Sequence, residues 1–356
     1  MQQPFYNPEV SYEENYKKGP FGSFANNDVI VRTNKPQFDF FGHKLFLPFG
    51  IPAGPLLNAN FITAAFRKGF DLCVYKTVRT NEYPCHPWPN VLAVHEEKLE
   101  INRTFPVVAD SSYVEPLSIT NSFGVPSANP KIWQQDMAKA VKNTGIGQLM
   151  IGSFQGTSDG SGNVDAYIKD FVRAAELVKE TGTKVLEANL SCPNEGTAHL
   201  LCFDIERTLK IAQEIKKAIG DTPLILKLAY FDDDNLLESF VKKLGPVVDG
   251  FSAINTIAAA IVDKDGKQAL PGKGRERSGV CGRAITWAGL DMVSRLIALR
   301  KKLQLKYVVI GVGGVTKTND YFAYRKNGAD AVMSATGAMW HQDLAAQILN
   351  KIKTLN

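Results

Sequence analysis

Short apolar runs alternate with amphipathic stretches along most of the chain, and eight of the runs read as strands, at 47–53, 72–78, 149–154, 184–189, 224–228, 250–255, 307–311 and 329–334. Between the third and fourth, Val164, Tyr167, Ile168, Phe171, Val172, Ala175 and Val178 recur at i, i+3, i+4, i+7 spacing, with Asn163 placed to cap a helix. A second helix is expected from Asp204, with Ile205, Leu209, Ala212, Ile215 and Ile219 on one face and Gly220 at its end. Eight strands, each followed by a helix, predict an α/β protein of the (β/α)8 TIM-barrel type, in which chemistry gathers where the strands end. The expected division is an N-terminal extension, 1–46, packing on the barrel, and a single barrel domain, 47–356. Two insertions break the repeat, at 79–128 and 257–285. Their Pro, Asn, Ser and Gly content predicts long structureless loops at the C-terminal face, of the kind that serve as lids. The glycine-rich stretch 155–162 reads as a mobile turn without a role.

Composition narrows the class of protein. With 356 residues, 44% of them hydrophobic and 22% charged, the chain can bury a large core. The formal charge of +5 is spread over 41 basic and 36 acidic residues, and the one dense run, 273–277, is short, Gly-broken and expected to be a solvated loop, so no nucleic-acid partner is implied. Five scattered cysteines without CxxC or Cys/His spacing imply neither a disulfide framework nor a metal site, and suit a reducing cytoplasm. The N-terminal residues lack a signal-peptide pattern, and no apolar stretch reaches about 18 residues, so no membrane insertion is expected.

Three clusters fall at expected strand ends: Lys76-Thr77, the run Asn189-Leu190-Ser191-Cys192-Pro193-Asn194, and Gly311-Val312-Gly313-Gly314. Cys192 lies among amides and a hydroxyl. That makes its thiol a candidate acid or base, whereas Cys73, Cys85, Cys202 and Cys281 read as small buried hydrophobes. The glycine run precedes a helix, and the next strand ends in Ala335-Thr336-Gly337. Loops after the seventh and eighth strands are where barrels commonly hold phosphate, although glycines at tight turns would give the same pattern. Two strand-end lysines, Lys76 and Lys227, beside such a site suggest a phosphorylated cofactor lying across the barrel top, and FMN fits. A lysine near the flavin N1/O2 edge stabilises the anionic reduced ring. Each lysine alone also fits a snorkelling or ion-paired surface residue.

Asn121-Ser122-Phe123-Gly124, the 189–194 run, Ile225-Leu226-Lys227-Leu228, Ile254-Asn255-Thr256 and Ile310-Gly311-Val312-Gly313-Gly314 occur in the order and approximate spacing found in the FMN-dependent dihydroorotate dehydrogenases. The chain resembles that family from about residue 48 to its end, and cysteine in the 189–194 run resembles the soluble class 1 enzymes. The resemblance implies oxidation of dihydroorotate to orotate in pyrimidine biosynthesis, with Cys192 removing the C5 proton while the C6 hydride passes to FMN N5. It places Lys76, Asn121, Asn189, Asn194, Asn255 and Thr256 on the substrate, with the backbone N–H groups of Phe123, Gly124 and Val125 on its carboxylate. It places Ala53, Gly54, Lys76, Thr77, Asn121, Asn189, Lys227, Ile254, Gly282, Gly313, Gly314, Ala335 and Thr336 on FMN. Family habit points to a homodimer. The electron acceptor stays open among fumarate, a quinone, oxygen and a partner subunit. Two other readings stand beside this one: an enzyme like the flavin domain of dihydropyrimidine dehydrogenase, acting on uracil-type rings, and a barrel that binds flavin or phosphate without turnover. The chain departs from the family pattern at Ala335, where glycine is expected, in the loop 278–282, in the length of 97–118, and in the roughly 40 residues ahead of the first strand.

Overall fold

The computed structural model describes residues 2–32, 34–191 and 200–355. A short hairpin, β1 (Phe38–Phe40) and β2 (His43–Leu45), precedes β3 (Phe49–Ile51) and β4 (Leu72–Val78). The chain continues through β5 (Val91–Val94), β6 (Val107–Asp110), β7 (Ser118–Asn121), β8 (Leu149–Phe154), β9 (Val185–Asn189) and β10 (Leu224–Leu228). It ends with β11 (Gly250–Ala253), β12 (Ile257–Val262), β13 (Arg277–Gly282), β14 (Val308–Val312) and β15 (Ala331–Met333). Strands β3, β4, β8, β9, β10, β11, β14 and β15 pair in parallel and close into a barrel, which is the (β/α)8 architecture read from the periodicity. Each of the eight expected strand positions carries one of them. The helix Val164–Glu180 begins at the Asn163 cap, whose side chain accepts from the Ala166 N–H, and Ile205–Ile219 begins at the Asp204 cap.

Burial explains why these strands were legible. In a parallel barrel one face meets the helices and the other fills the interior, so the strands read as unbroken apolar runs. Leu72, Val74, Leu149, Ile151, Val185, Ile225, Ile310, Ala331 and Met333 fill the interior, and Phe40 and Leu45 of the hairpin join that cluster. The polar inward positions Ser153, Glu187, Lys227 and Ser252 follow at the strand C-termini, two residues beyond Ile151, Val185, Ile225 and Gly250 respectively.

The two insertions are not structureless. They supply β5, β6, β7, β12 and β13, which close into a second, five-stranded barrel. Its central seam pairs Ser118–Asn121 with Gly279–Gly282 in antiparallel register, joining segments about 160 residues apart. Because β4 and β11 feed these insertions from their C-terminal ends, the second barrel stands beside the mouth of the first.

The first two dozen residues bind the same end. Phe5 stacks on Phe24, with ring centroids 4.4 Å apart, and its N–H reaches the Met339 carbonyl at 3.0 Å. The fully buried Gln342 accepts from the Phe24 N–H (3.0 Å) and the Ser23 hydroxyl (2.9 Å), and donates to the Gln3 carbonyl (2.6 Å). Further along, Arg32 meets Asp71, ahead of β4, so the extension runs from the mouth to the opposite end. Gln342→Ala leaves the buried Phe24 N–H without its partner and is expected to lower stability by about 1–3 kcal/mol. Thermal unfolding checks this, and limited proteolysis should then cut first within residues 2–24.

Candidate active site

A cleft opens between the two barrels. Its walls come from the strand ends of the large barrel (Ala53, Gly54, Lys76, Thr77, Asn189, Lys227, Asn255, Thr256), from the second barrel and its approach (Asn121, Phe123, Gly124, Val125), and from Ala335 and Thr336. It continues into a smaller recess lined by Gly282, Gly313 and Gly314 together with Asn255, Ala335 and Thr336. Nearly every described residue singled out from the sequence is therefore brought to one place. Ile254 is the exception: it is fully buried behind Gly313 and lines neither space. Cys192 and Asn194 lie outside the described residues.

The recess is shaped by missing side chains. Gly313 has φ +126° and Gly314 φ +67°, and a Cβ on Gly314 would lie 2.1 Å from the Thr286 hydroxyl and 2.6 Å from Thr286 Cα. Gly282, at φ +89°, would meet the Leu117 carbonyl at 2.4 Å. Backbone this tightly held, ahead of the helices Thr318–Lys326 and Thr336–Trp340, forms a concave N–H surface suited to a phosphate. Gly314→Ala combines a disfavoured φ, costing about 1–2 kcal/mol, with a backbone clash. We expect the purified variant to have lost most of its bound flavin, read as the ratio of visible to 280 nm absorbance.

A second set of backbone groups lies opposite. Gly124 (φ +76°) and Val125 (φ +53°) are consecutive left-handed residues. Their carbonyls are turned away toward Arg79, whose Nη2 donates to Gly124 O (3.3 Å) and whose Nε donates to Val125 O (3.0 Å). The Phe123 carbonyl accepts from the His86 N–H at 3.0 Å. Among the described residues the N–H groups of Phe123, Gly124 and Val125 have no protein acceptor, and they border the cleft. Such a run of N–H groups is an anion nest. Arg79 is buried, stacks on Tyr83 at 4.2 Å, and also holds the Gly156 carbonyl and the Thr157 hydroxyl.

Side-chain amides occupy the space between the two anion sites. Asn189 is oriented from both ends: its carbonyl accepts from the Ser191 N–H and hydroxyl, and its amide donates to Gln155 at 2.9 Å. Gln155 is fully buried, which corrects the reading of 155–162 as a turn without a role. The Asn255 amide donates to the Ser191 carbonyl, and Thr77 shares a 2.9 Å hydrogen bond with Ser153. Lys76 is buried with its ammonium 5.9 Å from the centre of the Phe123 ring. Burial pushes the Lys227 ammonium below its usual range, while Glu187 opposes that shift.

Several lining residues were not anticipated. Cys281 receives the Asn121 amide (3.5 Å) and the Thr336 hydroxyl (3.3 Å) and lines both spaces, rather than filling an apolar core; burial raises its pKa. Tyr6 reaches the cleft from the N-terminal segment and packs edge-on against Phe123. The run 273–277 is not a plain solvated loop: Arg275 is buried on the carbonyls of Pro87, Pro89, Pro271 and Ser122, and Arg277 borders the cleft. No signal local to these positions distinguishes them.

Together the fold and the cleft define a (β/α)8 barrel whose candidate site lies at the strand C-termini, with backbone N–H groups placed where an anion could be held. The chain belongs to the dihydroorotate dehydrogenase family, whose model matches residues 37–355, and with it to the oxidoreductases acting on a CH–CH group. It is 34% identical to a dihydroorotate dehydrogenase of Dictyostelium discoideum, over 99% of this chain and 98% of that protein. It is 30% identical to the catalytic subunit of dihydroorotate dehydrogenase B (NAD(+)) of Staphylococcus carnosus, over 52% of this chain and 59% of that subunit. Among solved structures, dihydroorotate dehydrogenase of Eimeria tenella in complex with ferulenol shares the fold, with a TM-score of 0.71 at 15% identity over 92% of this chain and 88% of that one. Among the described residues no helix is long and apolar enough to cross a membrane.

Proposed function

We propose that this protein binds FMN and oxidises dihydroorotate to orotate, the redox step of pyrimidine synthesis, as a homodimer in the cytoplasm. The observation that carries the reading is the pair of anion sites at opposite ends of one cleft, with amides and two buried lysines between them. The recess of Gly282, Gly313 and Gly314 fits a phosphate because a Cβ at either Gly282 or Gly314 would strike backbone. Lys227 fits a ring edge that gains electron density. Bound FMN supplies a two-electron hydride acceptor.

The protein's own residues do the rest. The Phe123–Val125 N–H groups hold the substrate carboxylate, and Arg79 keeps them aimed by occupying the carbonyls behind them. Asn121, Asn189 and Asn255 match a ring of alternating C=O and N–H groups, since each amide both donates and accepts. Asn194 belongs to the same set by its place in the motif, and Cys192, three residues after Asn189 in the sequence, is the base that takes the C5 proton. The N–H nest favours a ring bearing a carboxylate over a uracil-type ring. An anaerobic visible spectrum titrated with dihydroorotate, and in parallel with dihydrouracil, tests this. Bleaching by dihydroorotate alone is expected; bleaching by dihydrouracil alone, or a protein that cannot be loaded with FMN, overturns it.

A further inference from the structure

Beneath the cleft floor lies a buried carboxylate that the reaction does not use. Glu187 on β9 is fully buried, its side chain facing the barrel interior in register with Ser153 on β8 and Ile225 on β10, and Lys227 lies two residues further along β10. Neither of its oxygens completes a hydrogen bond among the described residues. Ser153, which also pairs with Thr77 (2.9 Å), and Ser252 on β11, which accepts from the Lys227 ammonium (3.4 Å), turn their hydroxyls toward the carboxylate and favour its charged form. The inward positions of β14, β15 and the end of β3 are Val312, Met333 and Ala53, which offer no charge. Of the other cations at the mouth, Lys76 on β4 sits over the Phe123 ring, and Arg277 borders the cleft from β13. Lys227 is thus the cation beside Glu187, and it is itself fully enclosed, with a cleft-lining position at its tip.

We propose that Glu187 is a positioning residue for the cofactor edge, the internal counter-ion that keeps Lys227 protonated and presents its ammonium to the ring bound above. The inference rests on the FMN reading for its function, but the pairing itself is a property of the protein alone. Burial drives the Glu187 carboxyl toward its neutral form and the Lys227 ammonium toward its neutral form; the Lys227 charge, ahead of the Ser153 and Ser252 hydroxyls, opposes the first shift, and the Glu187 charge opposes the second. An isolated carboxylate at this depth would take up a proton. An isolated ammonium would lose one.

Two measurements test this on the full-length protein. In the flavin-free form, infrared spectra at pH 7 are expected to show no buried protonated-carboxyl C=O band in the wild type, a new band in Lys227→Met, and its loss in Lys227→Met/Glu187→Gln. A band already present in the wild type, or none in Lys227→Met, overturns the pairing whatever the cofactor. In the FMN-loaded form, the midpoint potential of Glu187→Gln followed from pH 6 to 9 is expected to show an inflection, as Lys227 gains and loses its proton, that the wild type and the Lys227→Met double variant lack. A Glu187→Gln curve parallel to the wild type, or an inflection that persists without Lys227, overturns the positioning role. Failure to load FMN at all would instead count against the cofactor reading and leave the infrared result to judge the pair.

Discussion

Cys192→Ser is expected to slow bleaching of the bound flavin by dihydroorotate about 10²- to 10⁴-fold at pH 7, the range that removal of a positioned base produces. The sign of the pH dependence follows from which form reacts. A thiol accepts a proton only as thiolate, and an unperturbed cysteine titrates near pH 8.5, so the wild-type rate should climb about tenfold per unit below that value and level off above it. Serine does not ionise in this range, so its rate should keep rising with pH without a plateau. Anaerobic stopped-flow at 450 nm from about pH 6 to pH 9.5 separates the cases. A flat wild-type profile, or a serine variant as fast as the wild type, removes Cys192 from the role of base. Cys281 supplies the internal control: it also lines the cleft, but both its neighbours donate to its sulfur and burial raises its pKa, so Cys281→Ala should keep the wild-type pH profile even where its flavin binding weakens.

How much of this was legible depended on whether the partner of a residue lay nearby in the chain. The eight barrel strands announce themselves because both faces are buried, and runs such as Leu72–Val78 and Leu224–Leu228 are apolar nearly throughout. The second barrel gives no such sign. Its strand Val107–Asp110 alternates buried and exposed over only four residues, half of Ile257–Val262 is alanine, and their closure depends on pairings between distant insertions. Arg275 followed the same logic: it looks solvated beside Lys273 and Arg277, yet three of its four carbonyl acceptors, on Pro87, Pro89 and Ser122, belong to the other insertion. Most of the candidate site was legible because glycines and amides at strand ends have few other uses in a barrel. What stayed hidden was the support behind them, namely Arg79 behind the Phe123–Val125 loop, Gln155 behind Asn189, and Tyr6 arriving from the far end of the chain.

That support makes the second large prediction. Gly124→Ala is expected to raise the KM for dihydroorotate about 10- to 100-fold while leaving the flavin content unchanged. Two effects act together. Alanine at φ +76° costs about 1–2 kcal/mol, and its methyl would lie 2.4 Å from His86 Nε2, so the loop must turn and carry its N–H groups off the carboxylate. A hydrogen bond to a charged group contributes about 1.5–3 kcal/mol, and 1.4 kcal/mol corresponds to a factor of ten, which gives the stated range. Arg79→Met acts on the same groups from behind by releasing the Gly124 and Val125 carbonyls, and it should reproduce the KM rise without any change at residue 124. The discriminating comparison is a ring without a carboxylate. Dihydrouracil makes no use of the nest, so its weak binding, read as displacement of the flavin absorbance band, should be unaltered by either variant. If both ligands lose affinity equally, the loop merely shapes the cleft, and the carboxylate must be recognised elsewhere along it.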